Sequence, residues 1–206
     1  MKVLLVNGSP KQFGCTYTAL AEIEKTLNLE GVETEIFWIG NDAISGCKGC
    51  GACRNIGKCV INDIVNDFND KASRADGFIF GSPVHFASAS GSITSFLDRV
   101  FYSGKSNFLL KPASVIASAR RAGTTATLDQ LTKYLTISQM PVVSSKYWNM
   151  VHGTTPADVL RDEEGLQTMR VLAKNMAYLL KCIDAGKKAG VPMPEKEDPI
   201  STNFIR

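Results

Sequence analysis

Short apolar runs recur along this chain and alternate with longer amphipathic stretches, and this alternation restricts its fold more than any other feature. The run 77–81 is apolar at every position, as expected of a strand that is covered on both faces. Similar runs predict further strands at 2–6, 32–39 and 113–119, and a short fifth strand that begins at 141–144. Five strands are a typical number for the central sheet of one domain.

Apolar residues at helical spacing lie between these runs. They predict helices at 15–29, 90–102, 124–138 and 162–185. Strands that alternate with helices form a parallel sheet with helices on both faces, and right-handed crossovers leave few topologies. We therefore expect an α/β fold with a doubly wound five-stranded parallel sheet in the order 2-1-3-4-5. The domain should span residues 1–188, with a cysteine-rich insertion at 44–66 and an extended C-terminal arm at 189–206.

The charge balance argues against nucleic acid as a partner. The 23 basic and 20 acidic residues give a net charge of +3, and no run of Lys and Arg forms a basic stripe. No stretch reaches the roughly 18–20 apolar residues of a membrane span, and 3–6 is too short for the apolar part of a secretory signal. We therefore expect a cytoplasmic protein with no membrane partner, in a compartment where structural disulfides are rare.

Loops that follow the strands are where a ligand is expected, because doubly wound sheets bind ligands beyond the carboxyl ends of their strands. This rule selects the loops 8–16, 82–90 and 118–125. The first loop leads into a helix and contains Lys11, Gly14 and several hydroxyl side chains, a combination that suits a phosphate. Its spacing matches neither the dinucleotide fingerprint nor the nucleoside-triphosphate loop. An ordinary helix cap and turn would use the same residue types.

Motifs in these loops carry a family resemblance. The first is Gly-Ser-Pro-Lys at 8–11 followed by Cys-Thr at 15–16, and the second is Gly-Ser-Pro-Val-His-Phe at 81–86 followed by Phe-Leu-Asp-Arg at 96–99. In this order they resemble the NADPH-dependent FMN reductase group of flavodoxin-like proteins. The resemblance implies bound FMN, with its phosphate on the first loop and its ring edge along the second. It also implies a basic side chain of the third loop beside the ring carbonyl.

All three loops contribute to the cofactor site that this resemblance implies. His85 stands where the family usually has an aromatic residue, so it could stack on the flavin ring, although a loop histidine needs no function. Of the neighbouring Arg120 and Arg121, at least one is expected to be solvated. The implied set is Ser9, Lys11, Gly14, Cys15, Thr16, Ser82, Pro83, Val84, His85, Phe86, Ser118, Arg120, Arg121, Gly123 and Thr124.

Four cysteines crowded into one short segment, Cys47, Cys50, Cys53 and Cys59, form the most distinctive motif of the chain. Thiolates at this spacing can ligate a [4Fe–4S] cluster, and the intervening glycines would let the loop wrap around it. The motif is similar in place and spacing to that of the iron–sulfur flavoproteins. Zinc is a weaker alternative, because structural zinc sites usually pair Cys-x-x-Cys units that lie far apart. The thiols could also be unligated or form redox-active pairs.

The remaining cysteines and the second histidine are expected to do less chemistry. Cys15 should contribute its backbone N–H to the phosphate loop, and Cys182 should be a small core residue on the apolar face of the last helix. His152 ends an aromatic-rich stretch that follows the predicted fifth strand. That stretch could wall an acceptor pocket or form a contact between subunits.

Three functions remain open on these residues. The first is an enzyme in which NAD(P)H reduces FMN, which then reduces a quinone, a flavin or another small acceptor. The cofactor carries this chemistry, so no catalytic side chain is required. The second is an iron–sulfur flavoprotein that takes electrons from ferredoxin through a [4Fe–4S] cluster, and the third is a flavodoxin-like regulatory or interaction protein with little turnover. The resemblance also implies a homodimer or a homotetramer.

Overall fold

Five parallel strands form the central sheet of this computed structural model, which describes residues 1–195, 197–198, 200–202 and 204. With one further, antiparallel strand included, the strands of the described residues are β1 (Lys2–Asn7), β2 (Glu33–Trp38), β3 (Gly77–His85), β4 (Ser88–Ala89), β5 (Ala113–Ala119) and β6 (Met150–His152). The parallel order is β2-β1-β3-β5-β6, and the two-residue β4 folds back antiparallel on β3. With β4 set aside this is the predicted order 2-1-3-4-5, and the doubly wound α/β fold is confirmed.

Helices cover both faces of this sheet. In chain order they are α1 (Cys15–Leu29), α2 (Cys53–Ile56), α3 (Ile64–Ala72), α4 (Gly91–Ser103), α5 (Thr124–Ile137), α6 (Pro156–Val159) and α7 (Glu163–Lys188), with a 3-10 turn at Lys105–Asn107. Helices α1 and α7 pack side by side on one face, where Leu20, Ile23 and Met169 are fully buried. The opposite face is covered by α3, α4 and α5.

The strand β1 shows why the central strands are apolar at every position. Leu4 and Val6 point into the core under α3 and α4, whereas Val3 and Leu5 point into the core under α1 and α7. All of them are fully buried, because each pleat of the strand faces a layer of helices. The core under α3 is aromatic: Phe68 has its ring centroid 5.1 Å from that of Phe37 and 5.3 Å from that of Phe96, both partners belonging to this face.

The fifth strand lies later in the chain than predicted. The predicted segment 141–144 forms a single bridge, between Val142 and Ala113, and the strand proper is β6 at Met150–His152. Between this bridge and β6, side-chain hydrogen bonds take the place of backbone hydrogen bonds to β5. The amide of Asn149 donates to Ser114 Oγ (2.9 Å) and to the Val115 carbonyl (3.1 Å), and Ser114 Oγ donates to the Val143 carbonyl (2.7 Å).

Helix α3 begins at the end of the cysteine-rich segment and was not among the predicted helices. Its sequence contains asparagines and aspartates that disfavour helix interiors. The helix forms because Asp63 caps it, with Oδ1 accepting from the Val65 N–H at 3.1 Å, and because Phe68 and Ala72 bury its inner face. An aspartate directly before an apolar pair was the available signal.

The prediction that Cys182 belongs to the core is wrong, since its side chain is exposed on α7. The buried stripe of this helix runs through Met169, Leu172, Met176 and Leu180. At about 100° per residue, Cys182 lies on the far side of the helix from that stripe. Helix α7 has 26 residues, yet within the described part of the chain no helix combines the length and apolarity needed to cross a membrane.

Candidate functional site

A cleft opens at the carboxyl ends of β1, β3, β5 and β6, where the predicted loops meet. It is lined by residues from the carboxyl ends of these strands, where doubly wound sheets bind their ligands. The predicted site residues that line it are Ser9, Lys11, Cys15, Thr16, Pro83, Val84, His85, Ser118 and Arg120. Residues from four strand ends therefore share one cavity, as the strand-end rule requires.

The first loop is held in shape by its own polar contacts. The side chain of Asn7 accepts from the Ser9 N–H (3.1 Å) and donates to the Gln12 carbonyl (2.9 Å). Trp38 Nε1 donates to the Ser9 carbonyl at 2.8 Å, which ties the loop to the end of β2. A loop fixed in this way presents its remaining N–H groups to a ligand without a large ordering cost.

The helix that follows this loop begins without a side-chain cap. Gly14 is the N-cap of α1, and within the described part of the chain no side chain accepts a hydrogen bond from its first turn. Helix α5, which follows β5 at the same end of the sheet, also begins without a side-chain cap, at Gly123. By contrast, Asp63, Ser90 and Asp162 cap α3, α4 and α7. Unpaired N–H groups at a helix N-terminus suit an anion such as a phosphate.

Hydroxyl groups and a cation surround the start of α1. Thr16 Oγ1 and Ser118 Oγ lie 2.8 Å apart, so one hydroxyl proton joins them and the other is free for a ligand oxygen. The Lys11 side chain is exposed and adds positive charge to the cleft. Cys15 donates its thiol to the Gly153 carbonyl at 3.6 Å, and burial raises the pKa of that thiol. Burial therefore favours the protonated form of this thiol.

A second cavity brings the four clustered cysteines together. Cys47, Cys50, Cys53 and Cys59 all line it, beside the C-terminal half of α4. Cys47 and Cys50 are exposed, whereas Cys53 and Cys59 are half-buried. The four residues thus border a common space.

Cys59 is the most firmly held of these cysteines. The Asn66 side chain brackets its backbone, accepting from the Cys59 N–H and donating to the Cys59 carbonyl, each at 3.0 Å. The guanidinium of Arg99 donates to the Cys59 Sγ through Nε (3.4 Å) and Nη2 (3.3 Å). Arg99 also pairs with Asp63, and the hydrogen bonds to that carboxylate raise the pKa of the guanidinium.

Comparison with known proteins decides which family this site belongs to. Residues 1–155 match the family model described as NADPH-dependent FMN reductase. The chain belongs to this family. An iron–sulfur flavoprotein from Methanocaldococcus jannaschii is 32% identical over 192 residues, covering 89% of this chain and 99% of the relative. This family and the flavodoxin-like fold make the chain an FMN-dependent oxidoreductase.

Solved structures show the same fold at low sequence identity. RosB with a bound formylated riboflavin phosphate has a TM-score of 0.70 and 13% identity, covering 100% of this chain and 94% of that one. A flavodoxin from the domain Archaea has a TM-score of 0.61 and 13% identity, covering 88% of this chain and 99% of that one. At this level the likeness concerns the fold, and it agrees with the strand order described above.

The residues of the cleft fit the FMN of this family. The uncapped start of α1, with Lys11 and the Thr16–Ser118 hydroxyl pair beside it, offers donors and positive charge to a phosphate. Pro83, Val84 and His85, at the carboxyl end of β3, form one wall along which an aromatic ring system could lie.

The cysteine cavity fits a cluster better than a single ion. A lone zinc ion needs its donors converging at about 2.0–2.3 Å from one point. Within the described residues no group of three or more His, Cys, Asp or Glu side chains is placed to hold such an ion. In a [4Fe–4S] cluster each thiolate binds its own iron, so the four ligands need only border a shared volume, and all four cysteines line this cavity.

Some predicted cofactor residues lie outside the lining of the cleft as the described residues form it, namely Gly14, Ser82, Phe86, Arg121, Gly123 and Thr124. Ser82 is fully buried, with Oγ donating to the Pro83 carbonyl (2.7 Å) and accepting from the Ser90 N–H (3.1 Å). Phe86 is fully exposed at the tip of the β3–β4 hairpin. These residues shape the loops that line the cleft.

Sequence reasoning missed one side of the cleft, formed by Gly153 and Thr154 after β6. The strand-end rule would have selected them, but the fifth strand was predicted too early in the chain. Thr155 and Asp158 then form a capping box, in which Asp158 accepts from the Thr155 N–H at 2.9 Å and Thr155 Oγ1 accepts from the Asp158 N–H. A Thr-Pro-x-Asp pattern after a strand is the signal for this turn.

Replacing Gly123 with alanine should destabilise the fold more than replacing Gly31 with alanine. Both glycines have positive φ, 97° and 78°, so both substitutions carry the strain of left-handed backbone, roughly 1–2 kcal/mol. An added Cβ at Gly123 would also stand 2.6 Å from Ala87 Cα, whereas Gly31 has open space around it. Urea unfolding of both variants measures the difference. Equal losses of unfolding free energy in the two variants would show that the β3–β4 hairpin around Ala87 moves aside without destabilising the fold.

Proposed function

We propose that this chain is an iron–sulfur flavoprotein that passes electrons from a ferredoxin-type donor to an acceptor through a [4Fe–4S] cluster and FMN. The observation that carries the proposal is the shared cavity of Cys47, Cys50, Cys53 and Cys59, which suits one thiolate per iron. The relative from Methanocaldococcus jannaschii named as an iron–sulfur flavoprotein supports it, since the match covers nearly its whole length.

The groups would occupy separate sites in the chain. The cleft residues Lys11, Thr16 and Ser118 would hold the FMN phosphate, and the four cysteines would hold the cluster. When bound, the cluster supplies one-electron transfer and FMN supplies one- or two-electron transfer. The chain's own part is to fix the ligands: Asn66 and Arg99 hold Cys59, and the polar contacts of Asn7 hold the phosphate loop.

Direct oxidation of NAD(P)H is the second candidate function. The family model that matches residues 1–155 is described by its NADPH dependence. His85 and Arg120 are exposed at the rim of the cleft, where a nicotinamide could lie over the flavin ring and its phosphates could meet a cation. In this case the acceptor would be a quinone, a free flavin or another small molecule.

A spectrum of protein purified without oxygen tests the proposal, with iron, acid-labile sulfide and flavin assayed on the same sample. The expected result is flavin absorption with a broad iron–sulfur shoulder and about four irons per chain. Reduction by ferredoxin should then be faster than reduction by NADPH. Flavin without iron, together with steady NADPH oxidation, would favour the reductase instead. A chain that holds neither flavin nor iron after reconstitution would favour an interaction protein with little turnover.

Replacing Arg120 with glutamine should make the reduction potential of bound FMN more negative. Arg120 lines the cleft, and a cation there stabilises the negative charge that the ring gains on reduction. Arg121 is the matched control, because its side chain is also exposed but lies outside the cleft lining formed by the described residues. Redox titration of the flavin absorbance compares both variants with wild type. Equal shifts in the two variants would show that neither arginine acts locally.

A further inference from the structure

The buried guanidinium of Arg99 is an unusual neighbour for a cysteine on a surface loop. Arg99 lies on α4 between Phe96 and Val100 and is 1% exposed. One edge of its guanidinium, Nη1 and Nη2, pairs with the two oxygens of Asp63 at 2.6 and 2.8 Å. The other edge, Nε and Nη2, is directed at the Cys59 Sγ. A single planar group thus lies between a carboxylate and a thiol.

The same guanidinium reaches both stems of the cysteine loop. Nη1 donates to the Ser45 carbonyl at 3.4 Å, two residues before Cys47. Nη2 donates to the Ile61 carbonyl at 2.9 Å, two residues after Cys59. The Arg99 side chain is 1% exposed and that of Asp63 is 31% exposed, and an ion pair between a buried and a half-buried group contributes little to stability. Its position therefore needs a reason besides holding the core together.

We propose that Arg99 is a positioning residue that sets the reduction potential of the cluster through Cys59, with Asp63 as its opposing charge. This inference rests on the proposed function, because it presupposes the cluster at the four cysteines. Reduction adds negative charge to a cluster and its thiolates, and N–H donors to a ligand sulfur stabilise that charge. Arg99 raises the potential in this way, and the carboxylate of Asp63 opposes part of the effect.

The two charges predict shifts of opposite sign. Asp63→Asn removes the carboxylate but keeps an N-cap residue for α3, so Arg99 is left less neutralised and the cluster potential should rise. The double variant Arg99→Gln with Asp63→Asn removes both charges and the N–H···S bonds without leaving either charge unpaired, so the cluster potential should fall. Anaerobic redox titration followed by low-temperature EPR measures both, and the flavin potential of the same samples should move much less.

Opposite shifts of the cluster potential in the two variants support the proposal. If these residues were merely structural, their substitution would not shift the potential in opposite directions. Unchanged potentials, or shifts in the same direction, would overturn it. If the double variant does not fold or does not hold iron, Asp63→Asn decides, and a fall or no change in its cluster potential overturns the proposal. A wild-type chain that binds no iron and sulfide on reconstitution overturns both this inference and the proposed function. If the wild type binds the cluster and both variants keep its cluster potential, this inference alone is overturned.

Discussion

Replacing Cys50 with alanine should remove most of the iron and acid-labile sulfide from the protein while leaving its FMN content unchanged. Cys50 lines the cysteine cavity, so its loss deprives one iron of its ligand. Its side chain is exposed, so the substitution should not disturb the packing of the fold. Iron, sulfide and flavin assays on protein purified without oxygen measure the effect.

Cys182→Ala is the control for this substitution. Cys182 is also exposed, but it lies on α7, away from the cavity. The control should keep the full iron content of the wild type. Equal iron in the Cys50 and Cys182 variants would contradict a cluster at the four cysteines, and parallel loss of flavin would point to a general folding defect.

Replacing Phe68 with alanine should lower the free energy of unfolding by about 3–5 kcal/mol. Phe68 is fully buried on α3, and its ring contacts Phe37, Phe78, Phe80 and Phe96. Truncation removes those contacts and leaves a cavity between α3 and the sheet. At roughly 2–4 °C per kcal/mol for a chain of this size, the melting temperature should fall by about 6–20 °C.

Tyr178→Ala controls for the loss of an aromatic side chain from a helix. Tyr178 is 71% exposed on α7, so its removal should change stability by less than about 1 kcal/mol. Thermal unfolding of both variants, each with the same cofactor content, gives the comparison. A similar fall in both would mean that the aromatic cluster around Phe68 is not the centre of the core.

The fold was predictable where the signal was local. The runs at 2–6 and 77–81 are apolar because each pleat of the strand meets helices, and that pattern is visible without partners. The fifth strand was not predictable in the same way. Its position depends on Asn149 and Ser114, which lie 35 residues apart and replace part of the backbone ladder. Long-range side-chain bonds of this kind leave no periodic mark in the sequence.

The candidate site was likewise predictable only where its residues form a local motif. The spacing of the cysteines marked them as a group, and the structure places all four around one cavity. The role of Arg99 was hidden, because it lies 40 residues beyond Cys59 and is read from sequence as one more position on an amphipathic helix. Arg120 and Arg121 are neighbours in one loop, and the direction in which the backbone turns decides which of them meets the cleft.

Helix α4 joins the two sites through the core and fixes the spacing between them. Its N-cap, Ser90, donates to the Gly8 carbonyl at 3.0 Å, and Arg99 holds Cys59 nine positions later, about 14 Å along the axis. Inserting or deleting one residue between these points would turn Arg99 by about 100° away from Cys59. The exposed face of this segment can therefore vary in composition, but its length cannot, because that length sets the distance between the cleft at the strand ends and the cysteine loop.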